Sequence, residues 1–199
     1  MTTLSANAER ISRRIFVQHL MDAIPAALVV TGLGSSSYDV FAAGDRDGNF
    51  YLWGGMGGAV PVGLGLAIAQ PERSVVVVTG DGEMLMGLGS LASVGVQAPP
   101  NLTVVVLDNG HFGETGMQPS HTSLGVSLAA VAVGCGVANS RQIDSYDGLA
   151  DLVGSISART QTTFYQVLVA ADEPPRALPP RDGAYVKDRF RACLGFGSI

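Results

Sequence analysis

Residues 74–111 read SVVVVTGDGEMLMGLGSLASVGVQAPPNLTVVVLDNGH, and their pattern decides the architecture. The runs 74–79 and 102–107 are continuous, β-branched and apolar, without the alternation of a strand that faces water on one side. Such runs suit strands covered on both faces, as in parallel sheets. Between them, 84–96 predicts a helix, so the stretch is one strand–helix–strand unit.

The same alternation extends both ways. Ile11, Ile15, Leu20 and Ile24 predict an amphipathic helix over 7–23, closing before Pro25. ALVVT at 27–31 reads as a buried strand, 50–53 as a short strand after the turn GDRDGN, and 58–70 as a helix ending before Pro71. Further on come a helix at 124–134, a strand at 138–143, a helix at 146–159, a strand at 164–170 and a helix at 185–193. EPPRALPP at 173–180 reads as an extended arm leading to that last helix. The expected fold is α/β: a single three-layer doubly wound domain over 1–199, with a mainly parallel, about six-stranded sheet and 173–199 as arm and terminal helix.

Composition narrows the function. Only 15% of the 199 residues are charged, against about 25% in an average domain. With 47% hydrophobic residues, so apolar a chain is expected to hide surface by self-association. Twelve Lys and Arg and a net charge of −5 exclude the basic footprint of nucleic-acid binding. Cys135 and Cys193 form no CxxC, which suits a reduced, cytoplasmic protein. No signal peptide is evident, and glycines and prolines interrupt the charge-free stretch 84–107, so no membrane span is expected.

In a doubly wound sheet, ligands bind beyond the carboxyl ends of the strands. Three loops there carry unusual residues. Gly32-Leu33-Gly34-Ser35-Ser36-Ser37 approaches the dinucleotide fingerprint GxGxxG, but Ser37 replaces its last glycine; the alternatives are a Rossmann-like NAD(P)-binding module and an ordinary tight turn. Gly54-Gly55-Met56-Gly57-Gly58 leaves the backbone bare, either for a planar ligand or for close packing of strand on helix. The third site pairs Gly80-Asp81-Gly82-Glu83 with Asp108-Asn109-Gly110-His111. Asp81 and Asn109 stand 28 positions apart, about one crossover, so adjacent strands would deliver both to one rim. Their oxygens are hard ligands suited to Mg²⁺, and helix-start amides suit a diphosphate.

GDG followed at this distance by a strand-end Asn resembles the thiamine diphosphate signature of the thiamine-dependent decarboxylases and synthases. The signature usually ends in Asn-Asn; here the first of the pair is Asp108. RDGNFYLWGGMGGAVPVGLGLAIA, GDGEMLMGLGSLASVG and ETGMQPSHT extend the resemblance over roughly 8–170, toward sulfopyruvate decarboxylase beta subunits and the carboxyl-terminal half of phosphonopyruvate decarboxylases. The resemblance implies that Asp81, the Asn109 side chain and the His111 carbonyl bind Mg²⁺. It implies that the Gly82 and Glu83 amides hold the diphosphate. Met56 would prop the cofactor in its bent shape, with its N–H on the pyrimidine and the Gly54 carbonyl on the 4′-amine. The Glu83 side chain, where small residues are frequent, is expected to be incidental.

The family's activating Glu belongs to a pyrimidine-binding domain. None of Glu9, Glu72, Glu83, Glu114 or Glu173 lies in such a domain, so a pyrimidine-domain alpha subunit is expected to complete a hetero-oligomer. Glu114, His111 and His121 are candidates for proton handling near the substrate, or else hydrogen-bonded loop residues; His19 is expected to be structural. The leading expectation is a subunit of a decarboxylase of a small anionic 2-oxoacid. A carboligase, an oxidoreductase subunit, the NAD(P) module and a non-catalytic subunit are the alternatives. A second acidic group on the substrate calls for an Arg or Lys, which Arg46, Arg141 and Arg159 are not obviously placed to supply.

Overall fold

The computed structural model describes residues 10–197. Its main sheet contains β1 (Leu28–Thr31), β2 (Asn49–Tyr51), β3 (Val75–Gly80), β4 (Leu102–Asp108), β7 (Asn139–Ile143) and β8 (Thr163–Leu168), in the order β2-β1-β3-β4-β8-β7. Every neighbouring pair is parallel. A two-residue antiparallel hairpin, β5 (His111–Phe112) with β6 (Gln118–Pro119), stands beyond the end of β4.

Strand side chains alternate between two cores. Val29, Val76, Val78, Val105 and Leu107 face α1 (Arg13–Ala23), α2 (Ser35–Ala42) and α7 (Gly148–Ala158). Val30, Val75, Val77, Val104 and Val106 face α3 (Ala59–Ala69), α4 (Asp81–Met86), α5 (Ser90–Gln97), α6 (Leu128–Gly134) and α8 (Gly183–Cys193). Each fully buried Val or Leu contributes about 1.5–3 kcal/mol, so the double burial explains why these runs do not alternate with polar residues. Gly63 of α3 lies so near the sheet that an added Cβ would meet Val77 Cγ2 at 2.1 Å.

The expected three-layer α/β architecture with a parallel six-stranded sheet is present. The differences are local and have local causes. The first helix begins at Arg13, because Ile11 bridges Val169 as an extra strand residue; 7–9 lie outside the described residues. The helix expected at 84–96 is two helices. The first starts earlier, at Asp81, and Gly87 ends it by touching the 54–58 loop: an added Cβ would meet the Gly57 carbonyl at 2.3 Å. The second stops at Ala98, in left-handed conformation before Pro99 and Pro100. GLGSSS is not merely a turn, since Ser35 opens α2. Residues 121–124 form a 3₁₀ turn, so α6 begins only at Leu128, capped by Ser127. Strand 50–53 becomes Asn49–Tyr51, 164–170 becomes Thr163–Leu168, and the helices at 146–159 and 185–193 run Gly148–Ala158 and Gly183–Cys193.

α1 is tied to α2 by charge as well as packing. Asp39 is fully buried and pairs with the Nε groups of both Arg13 and Arg14, the latter at 2.6 Å. Removing one member of a buried pair leaves uncompensated charge. Asp39→Ala should therefore lower unfolding free energy by about 3–5 kcal/mol. Arg141→Ala, at the exposed Arg141–Asp151 pair, should change it by about 1 kcal/mol or less. Urea denaturation of both variants checks the contrast.

Candidate active site

The sheet order reverses between β1 and β3, and a cleft opens beyond the carboxyl ends of β1, β3 and β4. The β3/β4 register sets its Asp81 edge, with Asp108 beside Asp81 but lining a neighbouring hollow. Gly80 pairs with Leu107, so the next positions outward are Asp81 and Asp108. Both carboxylates are buried, at 2% and 3% exposure, and neither has a cationic side-chain partner among the described residues. Burial, reinforced by the charge of Asp108, pushes the Asp81 carboxyl up to about 6.

Neutral donors hold this pair. Ser120 Oγ donates to Asp81 Oδ2, and Thr122 Oγ1 stands 3.3 Å from that oxygen and 2.7 Å from Asp108 Oδ1. The Gly110 amide, at 2.9 Å, and Gln166 Nε2, at 2.6 Å, donate to Asp108. Next along the chain, Asn109 Oδ1 accepts the His111 N–H at 3.0 Å. His111 stands opposite Pro119 as a non-hydrogen-bonded pair, flanked by the Ser120 N–H bond to the Gly110 carbonyl, so the His111 carbonyl turns away from β6. No three His, Cys, Asp or Glu side chains converge as a metal cluster among the described residues. The available set is one carboxylate, one amide oxygen and one backbone carbonyl, the hard-oxygen donors that suit Mg²⁺ and not zinc.

Glu83 has a structural task instead of the incidental one expected of its side chain. It is buried; Oε2 accepts from Thr79 Oγ1 and from the Leu33 amide, each at 2.9 Å, and Oε1 has no hydrogen-bond partner among the described residues. Burial raises its pKa. The carboxylate fills the space beside Gly32, where an added Cβ would sit 1.4 Å from Oε2. One side chain thus links the ends of β1, β3 and α4.

The remaining candidates divide by position. Gly80, Asp81, Gly82 and Glu83 line the cleft on one side, Asn109, His111 and Glu114 on another, and the half-exposed Met56 reaches in from the glycine loop. Gly82 is kept bare by Phe112, whose ring carbon would lie 2.6 Å from an added Cβ. Gly54 and Gly55 are in the same loop but do not line the cleft, and nothing lies within 4 Å of a Cβ built on Gly54. His121 is exposed outside the cleft, its ring edge-on to Phe112 at 6.5 Å, and His19 is exposed on α1 beside Tyr146. Arg46, Arg141 and Arg159 are all remote, holding Ile24, Asp151 and Glu72 respectively.

Sequence reading missed Arg13, Ser35 and Ser36, which also line the cleft. The GLGSSS motif was the available signal, but its near-match to a dinucleotide fingerprint drew attention to the glycines. In the structure Ser37 Oγ is 2.6 Å from Thr31 Oγ1 and also bonds the Gly32 carbonyl, so the serine that replaces the third glycine closes the turn. A second chamber adjoins the cleft under residues 172–176, where Arg176 lies 3.8 Å from Glu114 and over the Tyr38 ring. Burial, then the Glu114 charge, raises the Tyr38 pKa. Farther along the arm, Trp53 Nε1 donates to the Pro180 carbonyl at 2.8 Å, with Arg181 over its ring.

Comparison with known proteins agrees with this geometry. The chain is 40% identical over 192 residues to phosphonopyruvate decarboxylase of Streptomyces viridochromogenes, covering 94% of this chain and 47% of that protein. It is 42% identical over 110 residues to sulfopyruvate decarboxylase subunit beta of Methanocaldococcus jannaschii, covering 55% of this chain and 58% of the subunit. The chain thus spans about half the length of these curated relatives. The X-ray structure of a "putative thiamin diphosphate-dependent enzyme" from Mycobacterium smegmatis superposes with a TM-score of 0.70 at 24% identity. That match covers 82% of this chain and 32% of the other, and shows a shared fold. The family model for the thiamine pyrophosphate enzyme, C-terminal TPP binding domain, matches residues 41–167. With most of its sheet and the Asp81 and Asn109 loops inside that match, the chain belongs to the thiamine pyrophosphate enzyme family, as a carrier of its C-terminal cofactor-binding domain.

Proposed function

We propose that residues 1–199 are one diphosphate-binding domain, the cofactor-holding part of a thiamine diphosphate- and Mg²⁺-dependent decarboxylase of an anionic 2-oxoacid. The observation that carries this reading is the buried Asp81–Asp108 pair beside Asn109, held by hydroxyl and amide donors and lacking a cationic side-chain partner among the described residues. A divalent cation is the partner such a floor lacks, and a diphosphate supplies the remaining hard oxygens. Phosphonopyruvate and sulfopyruvate are the favoured substrates because the relatives bear those names.

In this reading the Asp81 carboxylate, Asn109 Oδ1 and the His111 carbonyl hold the metal. The Gly82 and Glu83 amides, in the first turn of α4 and without intrahelical partners, receive the diphosphate. Met56, standing out from a loop of glycines, supports the bent cofactor. Once bound, the cofactor contributes a nucleophilic carbon and an electron sink for the pair left when CO₂ departs.

The chain's own groups do the rest. Glu83 fixes the cleft walls from behind. Glu114, on the hairpin loop at the mouth, is positioned to hold or deliver a proton at the substrate, and His111 lines the same wall. His121, outside the cleft, reaches the substrate only if the hairpin moves. The glutamate that activates the pyrimidine comes from a pyrimidine-domain alpha subunit, since Glu83 is committed to Thr79 and Leu33 and Glu114 lies at the α2 end of the cleft. The exposed apolar side chains of Met86 and Val96 on the α4–α5 face are available for association between cofactor domains.

Two measurements check this function. Native mass spectrometry of the gently purified chain should show a complex with a second chain, loaded with thiamine diphosphate; a homo-oligomer without thiamine would remove the split-enzyme reading. Asp81→Asn keeps the acceptor for Ser120 but removes the buried charge. Its unliganded form should unfold at an equal or higher urea concentration, while cofactor affinity, followed by calorimetry with Mg²⁺, should fall by about 100-fold or more.

A further inference from the structure

Residues 171–181 run outside the sheet and the helices, and 172–176 form one side of the outer chamber. None of residues 171–181 makes a backbone–backbone hydrogen bond among the described residues. Both ends of the segment are nonetheless fixed. At one, the Ala170 N–H donates to the Ile11 carbonyl at 2.9 Å. At the other, α8 is tied down by Arg189 on Asp45 and by Phe190 against Phe50. Between them Pro174, Pro175, Pro179 and Pro180 have fixed φ and no N–H, which stiffens the segment. A stiff segment held at both ends lifts or settles as one piece.

Side chains around the cleft hold it down. Arg14 Nη2 donates to the Pro175 carbonyl at 3.0 Å, and Trp53 Nε1 to the Pro180 carbonyl at 2.8 Å. The segment in turn lays Arg176 over the Tyr38 ring, 5.7 Å from its centroid, and Arg181 over the Trp53 ring at 5.2 Å. Tyr38 and Trp53 are themselves neighbours, with centroids 6.1 Å apart. Two guanidiniums of one segment thus clamp one aromatic pair. Arg176 also stands 3.8 Å from Glu114, whose carboxylate lies against Gly34. None of these contacts is fully buried, so water competes for each, and the segment stays down only through their combination.

We propose that residues 171–181 are a strap that closes the outer chamber, and that the contacts of Arg176 with Tyr38 and Glu114 are its latch. Closed, the strap walls in Ser35 of α2 together with Gly113, Glu114 and Met117 of the hairpin. Lifted, it opens the chamber, and the cleft behind it, since Ser35 and Glu114 line both. The strap carries Arg176 with it, so opening also takes the cation away from Glu114. This device is independent of the reaction the cleft supports.

Two native residues of the full chain report on it. Trp53 is the single tryptophan of the sequence and meets the strap at Pro180 and Arg181, beyond Arg176. Met117 lines the outer chamber and not the cleft, whereas Met86 is exposed on α4. Arg176 is 61% exposed, so its substitution leaves the fold intact. Arg176→Gln should raise acrylamide quenching of Trp53 by about twofold or more, and peroxide oxidation of Met117 by about threefold to tenfold. Peptide mass spectrometry follows the oxidation, with the rate at Met86 expected to stay constant. Arg176→Lys, which keeps a cation for Tyr38 and Glu114, should restore most of the protection. Arg191→Gln, whose guanidinium lies over Phe196 on α8, should change neither reporter. An Arg176→Gln variant with wild-type quenching and oxidation would overturn the latch, as would an Arg176→Lys variant no better protected than Arg176→Gln. A rise at Met117 without one at Trp53 would overturn a strap that moves as one piece. A wild type whose Met117 oxidises as fast as Met86 would show that the chamber stands open, and the closure itself would fall.

Discussion

The register of β3 on β4 is the constraint from which the site follows. Six residue pairs, from Val75 with Leu102 to Gly80 with Leu107, lock the two strands at the centre of the sheet. A slip by one residue would turn every side chain to the opposite core, so the valines that fill both cores also hold the register. The consequence at the rim is unfavourable in itself: two carboxylates, Asp81 and Asp108, emerge side by side and buried. Ser120, Thr122, Gly110 and Gln166 reduce that cost with neutral donors. None of them removes the like charge. Stability of the sheet thus maintains a local arrangement that is unstable alone and suited to a cation.

Around this floor, close backbone approach does work that side chains elsewhere would do. Gly32 leaves room for the Glu83 carboxylate, Gly82 for the Phe112 ring, and Gly57 meets Gly87 backbone to backbone. Gly57 also adopts a φ of +83°, a conformation that favours glycine. The glycine-rich segments are therefore contact surfaces between loops as well as sources of conformational freedom. Met56 projects from a loop that is pinned in this way, which makes its position a property of the scaffold.

Much of this was legible in the sequence, for identifiable reasons. Unalternating apolar runs can only be strands covered on both faces or buried helices, and their length and β-branching chose between these. Crossover spacing then placed Asp81 and Asn109 on one rim. What escaped depends on contacts between distant segments. α2 begins inside a run of small polar residues without helical periodicity, stabilised by the Thr31–Ser37 and Gly32–Ser37 bonds. The break at Gly87 needs the Gly57 carbonyl, thirty residues earlier. Arg13 looks like an exposed charge on an amphipathic helix until Asp39 draws it into the interior. In the linear sequence Glu83 stands where an incidental side chain would, because the three elements it links lie far apart there.

The two walls of the cleft differ in sign, and that difference orders the events the site can support. The buried carboxylates attract a cation and repel a bare anion, so the function proposed above requires a diphosphate to enter together with a metal. Arg13 and Ser35 line both the cleft and the outer chamber beneath residues 172–176. Glu114 lies between these walls, on a hairpin loop instead of a strand. A carboxylate there resides at the amino end of α2, against Gly34, with Arg176 3.8 Å away.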